Sequence, residues 1–569
     1  MGPLRPRPQA ASSRPTAALT EGPLDPRSSS PAETVARPSE RPKPDSGRRL
    51  VRGSSLLLVG RLISILASFI TQVLIVRYLS QSAYGAFAYA LAVVGTIQNF
   101  MTLGLDRTVA RFVPIYHEQR DLRRLFGTIG MTVLVTLSLA LVCIVALYGF
   151  QSAFGKLVHD GQAMALLLVF IFLAPIQALD ELLVNLFAVF AKPRAIFFRR
   201  YVLAPALKLA VVVAFLVFRG DVFFVATGYI VSSVLGVGIY SYLFVQELRR
   251  EGLLENWSLR DIIMPWRELL GFSLPLLTTQ LVSMNALSVV LLGYFWNTTS
   301  VAGFRAVFPI SKLTELVTAS FTTLFTPTAA RMFANDDREG INRLYWKTAI
   351  WMAVAAFPIF AATFSLAQPI TLLLYGSRYA DSAPILAMLS LGYYFNAALG
   401  FNALTLQVYG KVRYIVLLNI ATIALNLALS MVLVPRLGAL GAGIATMVAV
   451  IAYNVLKQAG LRLGTGISLF ERRYRRVYLV IALGALGLLG VQVIVSPPIY
   501  VSLALATLIS FLVVRINRDV LELDQMFPEA MRIPGFRLLV TGRSREVTAK
   551  PERREASLVV PPSDITEIE

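Results

Sequence analysis

The chain has 569 residues, of which 56% are hydrophobic and 15% charged, with a mean hydropathy of +0.65. A soluble domain carries nearer a quarter of charged residues, so this is a polytopic membrane protein. The net charge of +20 does not point to nucleic acid: residues 1–53 hold +5 and residues 516–569 hold −2, so most of it lies in loops between apolar runs, where Lys and Arg mark the cytoplasmic side.

Residues 1–53 form a Pro/Arg-rich stretch, with ten of the 29 prolines before position 51. It is expected to be a disordered cytoplasmic tail and not a signal peptide, because no apolar run begins before residue 54. Fourteen apolar runs of roughly 20 residues follow, each long enough to cross a bilayer as a helix. They lie near 54–78, 83–105, 125–149, 162–191, 196–218, 222–245, 269–294, 301–328, 346–375, 383–409, 414–434, 439–460, 477–495 and 499–515.

A cytoplasmic N-terminus places roughly 29 Lys and Arg in inside loops and 5 in outside loops, which sets the orientation. The outside group is Arg77, Lys156, Arg219, Arg378 and Arg436. Both termini are then cytoplasmic, and the tail 516–569 is expected to be largely disordered. Outside loops are too short for a soluble catalytic domain. The longest inside connection, 246–268, carries Trp257, Leu259, Ile262, Ile263 and Trp266, a pattern for an amphipathic linker on the membrane surface.

The first twelve runs repeat at an offset of about 218–220 residues. Ser82-Ala-Tyr-Gly85 matches Ser300-Val-Ala-Gly303, Ala110-Arg111 matches Ala330-Arg331, Arg124-Leu125 matches Arg343-Leu344, Lys192-Pro-Arg194 matches Lys411-Val-Arg413, and Gly220 matches Gly438. An even number of spans per repeat keeps both copies in one orientation. The expected architecture is all-α: a six-helix bundle at 54–245 and a second at 269–460, pseudo-symmetric about a central cleft, plus extra helices 13 and 14 at 477–515. That is the layout of a secondary transporter working by alternating access.

Polar side chains inside apolar runs mark the candidate site, because each is costly in a bilayer. In run 1, Arg61, Ser64, Ser68, Thr71 and Gln72 share one helical face. Run 7 carries Thr278, Thr279, Gln280, Ser283 and Asn285; run 8 carries Arg305, Lys312 and Glu315. If these runs line the cleft, Arg61, Arg305 and Lys312 make it cationic, with Gln72, Gln280 and Asn285 beside them, and it suits an anionic substrate. The alternative is that Arg61 and Arg305 reach out to an interface. Lys312 and Glu315, three apart, can pair, the alternative being that Glu315 is an ion-coupling site. Asp180 and Glu181 in run 4 either couple a proton or sodium ion or pair with Arg199 and Arg200. Lys208 reads as reaching the membrane surface. Arg111 and Arg331 end the second run of each repeat, as cytoplasmic entry residues or as anchors of topology.

Single Cys143 excludes an intrachain disulfide, and His117 and His159 fall in opposite-facing loops. No CxxC, HExxH or Gly-Lys-Ser phosphate loop occurs, which excludes zinc chemistry and a P-loop ATP-driven pump. No metal and no cofactor is expected.

Four stretches carry a resemblance to a known family. They are Arg77-Tyr-Leu-Ser-Gln-Ser-Ala-Tyr-Gly-Ala-Phe87, Leu103-Gly-Leu-Asp-Arg-Thr-Val-Ala-Arg-Phe-Val-Pro114, Leu374-Tyr-Gly-Ser-Arg-Tyr-Ala-Asp-Ser-Ala383 and Val434-Pro-Arg-Leu-Gly-Ala-Leu-Gly-Ala-Gly-Ile-Ala-Thr446. Over about 54–515 the chain resembles the polysaccharide-type flippases, O-antigen and exopolysaccharide translocases of the multidrug/oligosaccharidyl-lipid/polysaccharide exporter superfamily. The resemblance implies movement of a polyprenyl-pyrophosphate-linked oligosaccharide from the cytoplasmic to the outer leaflet of the plasma (inner) membrane, and no enzymatic step. It implies membrane lipids and other polysaccharide assembly proteins as partners, and essential basic residues in the cleft, for which Arg61 and Arg305 are the best matches. Many members have twelve spans; fourteen is a departure shared with lipid II flippase relatives. Two other functions fit the sequence: a cation-coupled drug antiporter of the same superfamily, which would want acidic cleft residues, and a non-transporting scaffold of a polysaccharide synthesis complex, which would tolerate Arg305→Ala.

Overall fold

The computed structural model describes residues 44–158, 160–190, 193–254, 262–277, 284–468 and 471–522. The chain divides into Met1–Arg52, in which residues 44–52 are helical, and the body Gly53–Glu569. Among the described residues the body is helical and contains no strand.

The first set, with the helix that enters run 7, is α1 (Gly60–Tyr78), α2 (Gln81–Thr102), α3 (Leu105–Glu118), α4 (Leu122–Gly149), α5 (Gln151–Val158), α6 (Gly161–Phe170), α7 (Leu173–Val189), α8 (Arg194–Phe218), α9 (Val222–Arg250) and α10 (Trp266–Leu277). The second set is α11 (Met284–Phe295), α12 (Thr298–Ser311), α13 (Thr314–Ala334), α14 (Arg338–Ser365), α15 (Ala367–Tyr375), α16 (Ser377–Val408), α17 (Val412–Thr465), α18 (Arg472–Ile494), α19 (Ile499–Ile516) and α20 (Arg518–Leu521).

Start signals are local. Ser80, Asp121, Asp160, Asp221, Asn297 and Asp337 each accept a backbone N–H of the first turn of α2, α4, α6, α9, α12 and α14, satisfying donors that have no partner inside the helix. Breaks are equally local. Leu103 and Gly104 both take left-handed φ and bend α2 from α3 by 40°, and α6 meets α7 at 41°. Within α17, Gly438 at φ 55°, ψ −132° follows Pro435 and turns the chain back.

By length and apolar composition, nine described helices can cross a membrane, or eleven if each bent pair is one span. The fourteen expected runs exceed this for a physical reason. Run 7 is described only in part, as α10 and α11, run 8 is divided between α12 and α13, and runs 11 and 12 lie in the single 54-residue α17. The linker residues Trp257 and Leu259 lie outside the described residues; Ile263 is held by its backbone N–H on the Arg123 carbonyl at 3.3 Å.

Helix α2 packs along α12, its repeat counterpart. Gly85 makes this possible: a Cβ there would strike the Thr298 carbonyl, so the shared Ser-Xaa-Xaa-Gly stretch is a point of backbone contact. One buried core draws on both sets of helices, through Phe87, Phe170, Phe304 and Tyr375. A second core joins α14, α16 and α17 to Ile481, Leu488 and Val513 of α18 and α19. The last two long helices are therefore seated on the second set, where Ser365 donates to the Ala485 carbonyl (2.8 Å) and Tyr478 to that of Ala398 (2.6 Å).

Candidate functional site

A cavity of about 240 Å³ lies where α1, α2, α8, α9 and α12 meet. Its walls are Ser68, Thr71, Gln72 and Ile75 of α1, Tyr84, Phe87, Ala88 and Leu91 of α2, Pro205 and Lys208 of α8, Tyr229 of α9, and Arg305, Phe308 and Pro309 of α12. Helical spacing brings Ser68, Thr71 and Gln72 to one face of α1, and Arg305 and Phe308 to one face of α12.

Gln72 ties the wall together. Its Nε2 donates to the Tyr84 hydroxyl at 3.3 Å and to the Arg305 carbonyl at 3.2 Å, which links three helices and two repeats. The Arg305 guanidinium lies 5.9 Å from the Phe308 ring, and the Lys208 ammonium 5.5 Å from the Tyr229 ring. Aromatic faces stabilise such cations without neutralising them. No carboxylate lines the cavity, and none among the described residues pairs with Arg305. The cavity therefore presents two cations, one from each set of helices, with neutral donors between them. It can hold a small anion.

The other sequence-derived residues distribute as follows. Arg61 is exposed on α1, about two turns before Ser68, and does not line the cavity. Lys312 lies just past Arg305 and stands off the Phe308 and Tyr393 rings at 5.1 and 5.0 Å. It pairs with Glu315 at 3.7 Å. Gln280 lies outside the described residues; Asn285 is in the first turn of α11, its side chain outside them. Asp180 pairs with Arg199 at 2.8 Å and Glu181 with Arg200 at 3.7 Å. Arg111 is exposed on α3, 4.5 Å from the Phe272 ring of α10, and Arg331 is exposed on α13. Among the described residues no group of His, Cys, Asp and Glu could hold a metal.

Sequence reasoning assigned Lys208 to the membrane surface; the structure puts it in the cavity wall. Tyr84 and Tyr229 were missed, though Tyr84 sits inside the repeated Ser82–Gly85 stretch. So was a latch at the end of the bundle where α1 meets α2. The Arg378 guanidinium donates to the carbonyls of Arg77 (2.6 Å) and Leu79 (3.3 Å), and Gln81 donates back to the Arg378 carbonyl. At the same end the Thr298 hydroxyl donates to the Asp160 carboxylate at 2.6 Å. Two of the stretches that carry the resemblance, 77–87 and 374–383, thus bind each other.

The comparisons with known proteins agree with the helical fold. A model of the family described as polysaccharide biosynthesis protein matches residues 50–333, and the MatE model matches residues 275–432. No curated protein matches in sequence. Among solved structures, the chain is similar to the lipid II flippase MurJ in an inward closed conformation, at 14% identity and TM-score 0.63, covering 82% of this chain and 99% of that one. It is also similar to an inward-facing multidrug resistance MATE family transporter of the MOP superfamily (16% identity, TM-score 0.57, 72% and 98% covered). A MOP superfamily transporter from Pyrococcus furiosus gives 16% identity, TM-score 0.51 and coverage of 74% and 96%. Two family models that overlap at residues 275–333 together cover residues 50–432; the chain belongs to the family described as polysaccharide biosynthesis protein, and the solved structures it is similar to are a flippase and transporters, not enzymes.

Proposed function

We propose that this protein is a flippase that moves a polyprenyl-pyrophosphate-linked oligosaccharide from the cytoplasmic to the outer leaflet of the plasma membrane, for surface polysaccharide such as O-antigen or exopolysaccharide. One observation carries the reading: Arg305 and Lys208 face a single carboxylate-free cavity from the two sets of helices. A guanidinium and an ammonium across a small aromatic cavity suit the two phosphates of a pyrophosphate. At about 240 Å³ the space is below the roughly 300–1,000 Å³ of drug-sized sites, so it takes a head group and leaves sugars and lipid tail outside. A drug cation would need an acidic wall, which this cavity lacks.

Charge distribution supports both termini being cytoplasmic, and the Arg378 latch then closes the outer end while the anion is loaded from inside. Moving the cations apart as the two sets of helices rock would release the head group on the other side. The test is the sidedness of lipid-linked glycan in cells that lack the protein, carry it, or carry Arg305→Ala at equal membrane levels. Loss of the protein should strand glycan-lipid on the cytoplasmic leaflet, and Arg305→Ala should cut transport at least about tenfold. Full export by Arg305→Ala would sink the cationic-cavity mechanism.

A further inference from the structure

A second hollow, of about 890 Å³, opens where α4 ends and α5 and α6 follow. Its size is within the roughly 300–1,000 Å³ of ligand sites. The charge distribution assigns this connection, with Lys156, to the outer face. Tyr148, Phe150 and Phe154 are exposed along it, as aromatic side chains are at a membrane–water interface.

Three kinds of group line the hollow. Gln151 and Ser152 of α5 are exposed and make no side-chain hydrogen bond among the described residues, so an amide and a hydroxyl are free. Met164, Ala165 and Leu168 share one face of α6 and add an apolar strip. Gly149, Gly155 and Gly161 leave the backbone bare, with nothing within 4 Å of where a Cβ would stand. Asp160 supplies the strong acceptor. Its Oδ1 takes the backbone N–H groups of Gln162 (2.8 Å) and Ala163 (3.1 Å), whereas Oδ2 takes only the Thr298 hydroxyl (2.6 Å). A carboxylate offers about four lone-pair sites, so Oδ2 keeps room for one more donor. No cation is among the described residues that line the hollow, and a carboxylate repels phosphate. Hydroxyl groups suit this wall: they donate to the carboxylate and accept from the amide, while the C–H face of a sugar ring covers the apolar strip.

We propose that this hollow is an exit subsite that holds a sugar of the lipid-linked glycan once it has reached the outer leaflet, with Asp160 Oδ2 accepting a sugar hydroxyl. The inference rests on the flippase reading above and deepens it. The lipid tail of such a substrate stays in the bilayer and its pyrophosphate at head-group level, which puts the first sugars level with an interfacial hollow. Asp160 joins the subsite to the closed outer end. Thr298, which donates to the same carboxylate oxygen, also rests its carbonyl against Gly85. A sugar hydroxyl on Oδ2 weakens the bond to Thr298, and so loosens α12 from α6 while the glycan leaves.

The experiment measures thiol reactivity on whole cells that carry the full-length protein with Cys143→Ala and Ser152→Cys, a variant first checked to support export. A membrane-impermeant maleimide is applied to two strains. In one, the outer-leaflet step that consumes the glycan-lipid is blocked, so that it accumulates; in the other, glycan assembly is blocked. The Ser152→Cys thiol should react several-fold more slowly where the glycan accumulates. Lys156→Cys, exposed on the same helix but outside the hollow, should react equally in both strains. Asp160→Asn then separates binding from capping. Asn caps a helix as well as Asp, but its amide oxygen is a weaker acceptor than a carboxylate, so most of the protection should disappear. Protection that survives Asp160→Asn makes Asp160 a cap alone and overturns the assignment. Equal rates at Ser152→Cys in both strains overturn the subsite and leave the flippase reading standing, and slow labelling in both means that lipid or protein covers the hollow, which overturns it too. If glycan-lipid reaches the outer leaflet in cells that lack the protein, the flippase reading falls and takes this inference with it.

Discussion

Between α7, α8 and α9 several polar groups are charged: Asp180 with the buried Arg199, Lys208 facing the cavity, and the more exposed pair of Glu181 with Arg200. Between α11, α14, α16 and α17 they are mostly neutral. Ser288 meets Asn426 and Thr446, Asn402 donates to Asn454, and Tyr345 donates to Gln458 and to the Leu399 carbonyl. The exception is Lys457, whose ammonium stands 4.0 Å from the Tyr453 ring. Neutral groups in a membrane bundle exchange hydrogen bonds at modest cost and hold helices in register. Charged pairs cost more to bury and respond to any new charge nearby. The charged groups of the first region therefore respond to an added charge, and the neutral bonds of the second hold its helices in register.

Removing one side of the buried ion pair should break this contrast most visibly. Arg199→Leu leaves Asp180 without its contact partner and should cost about 3 kcal/mol of stability, read as a fall in thermal midpoint in nanodiscs. Asp180→Leu combined with Arg199→Leu should recover most of that loss, because the carboxylate left without its contact partner is removed as well. A double variant as unstable as the single one would show that packing of Arg199 over Gly236, and not charge, dominates.

The latch mixes the two kinds of group, since a charged guanidinium rests on neutral carbonyls. A hydrogen bond to a charged group contributes about 1.5–3 kcal/mol, so Arg378→Gln should favour opening of that end. In a background with Cys143 replaced by Ala, a cysteine placed at Ser300 should react several-fold faster with a membrane-impermeant thiol reagent. An unchanged rate would mean that Gly85 against Thr298 seals that end without Arg378.

How far the sequence reaches is clear from particular residues. Apolar runs located most helices, and spacing found the polar face of α1. Ser68, Thr71 and Gln72 of that face line the cavity; Arg61 shares the face but lies too far along the axis. Periodicity fixes a direction around a helix and not the depth at which a partner helix meets it. Lys208 was misread for a different reason. A lone lysine in an apolar run reads the same whether it reaches the membrane surface or lines a cavity, and the run does not show which helices enclose it. The latch could not be read at all, since its partners lie about 300 residues apart.

The neutral region should respond weakly. Ser288→Ala removes a hydroxyl shared by Asn426 and Thr446 and should cost about 0.6 kcal/mol, the average for hydrogen bonds between membrane helices. A loss as large as that of Arg199→Leu would erase the distinction between the two regions.

The smallest effect is expected at the end of the chain's last described helix, where Glu522, beyond the membrane-spanning helices, pairs with Lys347 near the start of α14. Lys347 donates to the Glu522 carboxylate at 2.6 Å, and both side chains are about one third exposed. That hydrogen bond, with the charge of Lys347, holds the Glu522 carboxyl below the usual glutamate range. A depressed carboxyl stabilises the folded state fully above its unfolded pKa, and the contribution fades as pH falls through the lower folded value. Glu522→Gln should therefore melt slightly below the parent at pH 7, by well under about 1 kcal/mol because water screens the pair. The two melting curves should converge in acid, below the ordinary glutamate pKa of about 4.3. A difference that persists in acid would assign the docking of α20 to the buried Leu521 and not to the ion pair. The same charge chemistry that governs the interior of α7–α9 would then be without effect at this solvent-facing end of the molecule.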